Sequence, residues 1–190
     1  VWFVTGLVST GAAADKAAIT AAMNRGSAWL AAELTSGERK FGDPGERALA
    51  GLAVLKCGHD ATSPAVAKVI SEMLEERFQN GKYQPGSHHV YQAGVDATLL
   101  ADADGEKYKA QVQAIADYII GQQLPNGGWD YPSGRAGHGD TSVVQYGCLG
   151  LWAATRVGIE VPTSVWVKSL EWHANTQLGD GGFTYVPGTA

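Results

Sequence analysis

Four short segments of the chain end in an aromatic residue and share glycine and polar positions. They are Gly37-Glu38-Arg39-Lys40-Phe41, Gln79-Asn80-Gly81-Lys82-Tyr83, Gln123-Leu124-Pro125-Asn126-Gly127-Gly128-Trp129 and Gln177-Leu178-Gly179-Asp180-Gly181-Gly182-Phe183. The aromatics stand 42, 46 and 54 residues apart. That period holds two helices and two turns, so the chain reads as consecutive αα-hairpins rather than as a sheet protein.

Hydrophobic periodicity supports this. Ahead of the second turn, Val66, Val69, Ile70, Met73 and Leu74 follow the i, i+3, i+4, i+7, i+8 spacing, with Lys68, Glu72, Glu75 and Glu76 on the other side. This predicts a half-exposed outer helix, with counterparts over 25–34, 108–122 and 164–176. After each of the first three turns a more apolar segment follows, over 47–56, 88–101 and 141–155, and the last of these has no charged residue. Helices apolar around most of their circumference are buried on most sides, so these three should form an inner layer.

Glycine makes up 25 of the 190 residues without any low-complexity stretch, which excludes collagen and disordered linkers. Gly51, Gly94 and Gly147 coincide when the inner helices are superposed, and Gln92 matches Gln145. A glycine inside a helix costs about 1 kcal/mol against alanine, so a recurring one implies close helix contact. Ser87 and Asp140 stand where the second and third inner helices should be N-capped.

A net charge of −5 and the lack of a basic cluster argue against nucleic acid or an anionic membrane surface as partner. No run reaches the roughly 20 apolar residues of a membrane span. Cys57 and Cys148 are too few for a disulfide framework and have no metal-type spacing. In residues 1–19, Val1-Trp2-Phe3-Val4 and Ala12-Ala13-Ala14 look like the end of a signal peptide, which would make the protein secreted or periplasmic, although Met and a basic leader are missing. The plainer reading is a segment packing its aromatics on the domain. Residues 20–190 are expected to form the repeat domain.

Gln123, Gly127 and Trp129 fit the Q-x3-G-x-W repeat of squalene-hopene and oxidosqualene cyclases, and Trp172, Gln177, Gly181 and Phe183 repeat it with Phe for Trp. Arg25-Gly26 before Trp29-Leu30 resembles the opening of the same repeat. The run from Asn126 to Trp129, Gly139-Asp140-Thr141 and Leu149-Gly150-Leu151-Trp152 resembles prenyltransferase/squalene-oxidase repeat proteins. The resemblance covers about residues 20–188 and implies an all-α fold, the α/α toroid. The hairpins present are too few to close such a ring. An arc of this kind implies downstream repeats or homo-oligomeric association.

The chemistry of that family does not transfer. Of the cyclase D-x-D-D-T motif only Asp140 and Thr141 remain, in Gly137-His138-Gly139-Asp140-Thr141, so the protonating acid is missing. Of the prenyltransferase D-x-C pattern, Asp140-Thr141-Ser142 has serine for the zinc-binding thiolate. The thioester G-C-G-E-Q segment is replaced by Gly147-Cys148-Leu149-Gly150. No metal or cofactor is read from the chain.

Asp96 lies inside an apolar helix where its counterparts are Ala53 and Leu149. Facing a cavity it would serve as a general acid; facing an Arg or a helix N-terminus it is structural. Asp140 is the second acid, with capping as its plainer role. His88, His89, Tyr91, Gln92, His138 and Gln145 gather at the starts of the inner helices and are the candidate ligand-binding residues. Two functions follow. One is a repeat module that binds an apolar or isoprenoid ligand, or a protein partner, in its concave inner layer. The other is a polysaccharide-cleaving α/α-toroid enzyme, with Tyr91, His88, His89 and Arg135 supplying a base and a carboxylate clamp. A terpene cyclase whose catalytic motif lies outside this chain is the remaining alternative.

Overall fold

The computed structural model describes residues 15–36, 41, 43–132 and 137–187. The apolar stretch 1–14, most of the first turn and Arg135 lie outside them. Seven helices occur among the described residues: α1 (Lys16–Thr35), α2 (Pro44–Lys56), α3 (Pro64–Arg77), α4 (His89–Asp104), α5 (Lys109–Gly121), α6 (Thr141–Arg156) and α7 (Thr163–Thr176). Two-residue strands, β1 (Phe78–Gln79) and β2 (Lys82–Tyr83), complete the elements. The chain is all-α, as the spacing predicts. None of the described helices is long and apolar enough to cross a membrane.

Local chemistry sets the boundaries. At α2, Asp43 Oδ1 accepts from the Gly45 N–H at 2.6 Å, Glu46 reaches back to the Asp43 N–H at 3.4 Å, and Pro44 occupies the first turn, a capping box. Asp140 caps α6 by accepting from the Ser142 and Val143 N–H groups at 2.9 and 3.2 Å. Ser87 does not cap α4. That position falls to His88, one residue later, whose side chain makes no capping bond. Both α2 and α6 end at a left-handed glycine, Gly58 (φ 94°) and Gly158 (φ 76°), with the next N–H returning to the helix: His59 to Val54 O and Ile159 to Ala154 O.

α4 lies between α2 and α6. α1 and α3 pack against α2, α5 against α4 and α6, and α7 touches α6. The most buried helix is α4, from His89 to Leu100 apart from a half-buried Tyr91, rather than the charge-free α6, which leaves Trp152 exposed. The reason is position: α4 packs between α2 and α6, whereas α6 has α4 on one side and only slight contact with α7. Lys56 of α2 (2.6 Å) and Arg156 of α6 (2.7 Å) converge on Asp102 of α4, joining the C-terminal ends of all three.

The recurring glycines do sit at close contacts, with three different neighbours. A Cβ on Gly94 would lie 2.2 Å from the Tyr146 carbonyl oxygen of α6, one on Gly51 2.9 Å from Val69 of α3, and one on Gly147 2.9 Å from the Trp129 ring. Gly150 of α6 meets Gly94 directly, so α4 and α6 touch backbone to backbone.

Candidate functional site

The third and fourth turns have the same hydrogen bonds. In the third, the Leu124 N–H donates to Gly128 O, the Gly127 N–H to Leu124 O, the Gln123 side-chain amide to Gly127 O at 3.0 Å, and the Gly128 N–H to Asn126 Oδ1. In the fourth, Leu178 donates to Gly182 O, Gly181 to Leu178 O, Gln177 to Gly181 O at 2.9 Å, and Gly182 to Asp180 Oδ1. Gly127 and Gly181 take φ of 94° and 87°, where glycine alone is unstrained. The Gln123 amide also bonds Val165 O of α7 at 3.0 Å, and fully buried Trp129 donates to Ile119 O at 2.8 Å. This turn thus joins α5, α6 and α7. The second turn departs from the pattern: Asn80-Gly81 adopts positive φ and closes a two-residue hairpin.

Asp96 is fully buried, and its carboxylate accepts from the Arg77 guanidinium and, at 2.7 Å, from the Tyr83 hydroxyl. Burial pushes the carboxyl up, and Arg77 and Tyr83 pull against it; the same carboxylate keeps the buried Arg77 charged. Burial and the adjacent Asp96 charge push the Tyr83 phenol well above its usual range. Arg77 ends α3, Tyr83 ends β2 and Asp96 is mid-α4, so these three residues lock α3, the hairpin and α4 together.

The N-terminal ends of α2, α4 and α6 form a polar aromatic rim. Asp43 accepts from the His88 ring at 2.9 Å and from the Gln92 amide at 3.0 Å, and Gln92 Oε1 accepts from the Gly86 N–H at 2.6 Å. Burial raises the Asp43 carboxyl, but the hydrogen bonds from Gln92, His88 and Gly45 outweigh it and hold the group below its usual value. Buried His89 donates through Nε2 to the Asp130 carbonyl at 2.7 Å, and its Nδ1 lies 2.9 Å from the Tyr118 hydroxyl. Tyr91 of α4 meets Tyr146 of α6 edge to face, and burial together with Tyr146 moves its phenol up to about 12. Exposed His88 lies edge-on to Tyr91 and Tyr131.

Of the residues singled out from the sequence, the fold brings His88, Tyr91 and Gln92 together on this rim. His89 is turned inward beneath it. His138 and Gln145 are exposed, and His138 contributes its backbone carbonyl to Trp172 and Asn126. Asp140 points into its own helix, where Ser142 Oγ also donates to it at 2.5 Å. Among the described residues no three His, Cys, Asp or Glu side chains gather to hold a metal ion.

Sequence reasoning missed Asp43, Arg77 and Tyr146, and took Tyr83 only as the aromatic of the second turn. Asp43 was findable, since Asp-Pro-Gly-Glu is a capping-box pattern. Arg77 continues the face of Val66, Ile70 and Met73, a signal masked because a basic residue in the last turn of an amphipathic helix reads as solvated. Comparison with protein-family models, curated proteins and solved structures finds no match for the chain.

Proposed function

We propose that the chain is a prenyltransferase/squalene-cyclase-like repeat module, an arc of an α/α toroid, that binds an apolar or isoprenoid ligand or a protein partner on its concave inner layer and performs no chemistry itself. One observation carries the reading. The third and fourth Gln-Gly turns share each hydrogen bond, while both acids a cyclase-like reaction would draw on have roles in the fold: Asp96 with Arg77 and Tyr83, Asp140 in the α6 cap. An acid with no exposed surface has no substrate within reach to protonate. Squalene in mixed micelles and farnesyl diphosphate in buffer, titrated against tryptophan emission, test the ligand half. Saturable binding is expected, and a flat response to both removes the isoprenoid ligand from the account.

A second reading rests on the rim, whose open aromatic edges and His88–Asp43 pair suit a sugar chain. In a polysaccharide lyase, Tyr91 or His88 would take the proton beside the uronate carboxylate. A phenol at about 12 is mostly protonated at neutral pH and is a weak base there. Incubation with acidic glycans should release no unsaturated sugar; release that is lost in His88→Ala would favour the enzyme.

A further inference from the structure

Helices α1, α3, α5 and α7 meet their neighbours in different ways. α1 and α3 pack on one another, and α5 and α7 are joined by the third turn through Gln123 and Val165 O. Between these pairs, α3 and α5 hardly touch: α3 packs against α1, α2 and β1, and α5 against α4, α6 and β2. The cause is the second turn. Where the third turn lays Gly127 and Gly128 against α7, the Asn80-Gly81 hairpin stands between α3 and α5. Its rings span the gap, Phe78 against Tyr83 at 5.3 Å and Tyr83 against Tyr118 of α5 at 5.5 Å.

A groove is left between α3 and α5. One hollow of about 410 Å³ is lined by Thr62, Ile70, Ser71, Leu74, Lys107 and Tyr108 among others, and a second of about 210 Å³, toward the hairpin, by Leu74, Phe78, Gly81, Ala110 and Gln111. Leu74 lines both, so they run into one another. Together they have the size and the mainly apolar walls of a small-molecule site. The polar groups along them are engaged within the chain, with one exception. Thr62 donates to Asp60 at 2.6 Å, Ser71 to Glu75 at 3.3 Å, and the Lys107 ammonium lies 4.9 Å over the Tyr108 ring. Gln111 Oε1 is buried and accepts no hydrogen bond among the described residues. A buried acceptor without a donor costs free energy that a bound donor returns. The Gln111 residue as a whole is only half-buried, so a turn of its amide presents the oxygen to the hollow it lines.

We infer that the groove between α3 and α5 binds a neutral aliphatic alcohol, with its chain along Ile70, Leu74 and Phe78 and its hydroxyl donating to Gln111 Oε1. From Ile70 to Phe78 the groove runs about 12 Å at the helical rise, the reach of an extended chain of about eight carbons. Charges of both signs surround it. Asp60, Glu75, Asp104 and Glu106 stand around it with Lys82 and Lys107, while Lys68 and Lys109 reach away to Ser36 O and Gly158. Neither an anionic nor a cationic head is therefore favoured. A carboxylate at Gln111 would set lone pair against lone pair, and a hydrocarbon would leave the oxygen unpaired. The inference does not rest on the isoprenoid reading. The tryptophan emission that tests that reading does not report on this groove, whose lining has no tryptophan.

Amide NMR spectra of the full chain, titrated with 1-octanol, should show saturable shifts confined to residues 61–81 and 107–111, which hold the groove lining. Octanoate at neutral pH should bind about tenfold more weakly, the worth of one hydrogen bond to a buried acceptor. Gln111→Leu should lower the octanol affinity by the same factor with unchanged helical circular dichroism. Ala110→Trp, at an exposed position, should fill the second hollow and abolish the shifts. Shifts that are absent, or that do not saturate up to the solubility of octanol, overturn the proposal. So do shifts centred on α4 and α6, octanoate that binds as tightly as octanol, or a Gln111→Leu variant with wild-type affinity. Should Gln111→Leu fail to fold, octanol binding that survives Ala110→Trp overturns it equally.

Discussion

At the scale of single residues, Asp96 and Arg77 form a buried ion pair. Removing one partner of a buried ion pair leaves an uncompensated charge, at a cost of about 3–5 kcal/mol. Asp96→Asn and Arg77→Met should each lower the urea midpoint accordingly, and the double variant Asp96→Leu/Arg77→Met should recover much of the loss. Additive losses would mean that the two do not act as a pair. The buried phenols set the alkaline limit. Tyr83 and Tyr91 both have raised folded values, so their contribution is complete below the unfolded value near 10 and declines as pH rises through the folded values, about 12 for Tyr91. Equilibrium unfolding should therefore show stability falling above pH of about 10, less steeply in Tyr83→Phe. Glycines divide by surroundings: Gly94→Ala should cost about 2 kcal/mol or more, because its Cβ meets the α6 backbone, whereas Gly26→Ala, with open space around it, should gain about 1 kcal/mol. Sequence alone places Gly94 at a contact by its recurrence but cannot say which element it meets.

At the scale of elements, the helices were largely legible because period and capping agree. Val66 to Leu74 mark the buried side of α3, and Asp140 caps α6 as its position predicts. The start of α1 was not legible. Ala-rich sequence between Lys16 and Asn24 has no amphipathic stripe, so the helix was anticipated only from residue 25, whereas it begins at Lys16 under an Asp15 cap. The hairpin at 78–83 was read as a turn like the others, although Asn80-Gly81 is its own signal. Asp43 joins three jobs at one position: cap of α2, partner of Gln92 and partner of His88. Asp43→Ala should cost about 2 kcal/mol in thermal or urea unfolding, the upper end for a lost cap. The turns allow an internal comparison. Gln123→Ala removes bonds to both Gly127 and Val165 and should cost about 2 kcal/mol, while Gln177→Ala removes one exposed bond and should cost under about 1 kcal/mol. Equal losses would argue against Gln123 as a tie between units.

At the scale of the whole molecule, α2, α4 and α6 are tied at both ends, by Asp43, His88, Gln92 and the Tyr91–Tyr146 contact at one and by Lys56, Asp102 and Arg156 at the other. The candidate site was half legible. His88, Tyr91 and Gln92 fall on one rim because they open the same helix, but the partners that settle their chemistry, Asp43 and Tyr146, come from other units, and single-sequence spacing does not rank such contacts. The same holds for Asp96: its placement in an apolar helix flagged it, and only the fold supplied Arg77 and Tyr83. The claim that this is a binding module whose acids are structural is tested most directly by product analysis after incubating the chain with squalene or farnesyl diphosphate. The account predicts the isoprenoid recovered unchanged with wild type and with Asp96→Asn alike. A cyclised or hydrolysed product that forms with wild type and disappears in a folded Asp96→Asn variant would contradict it.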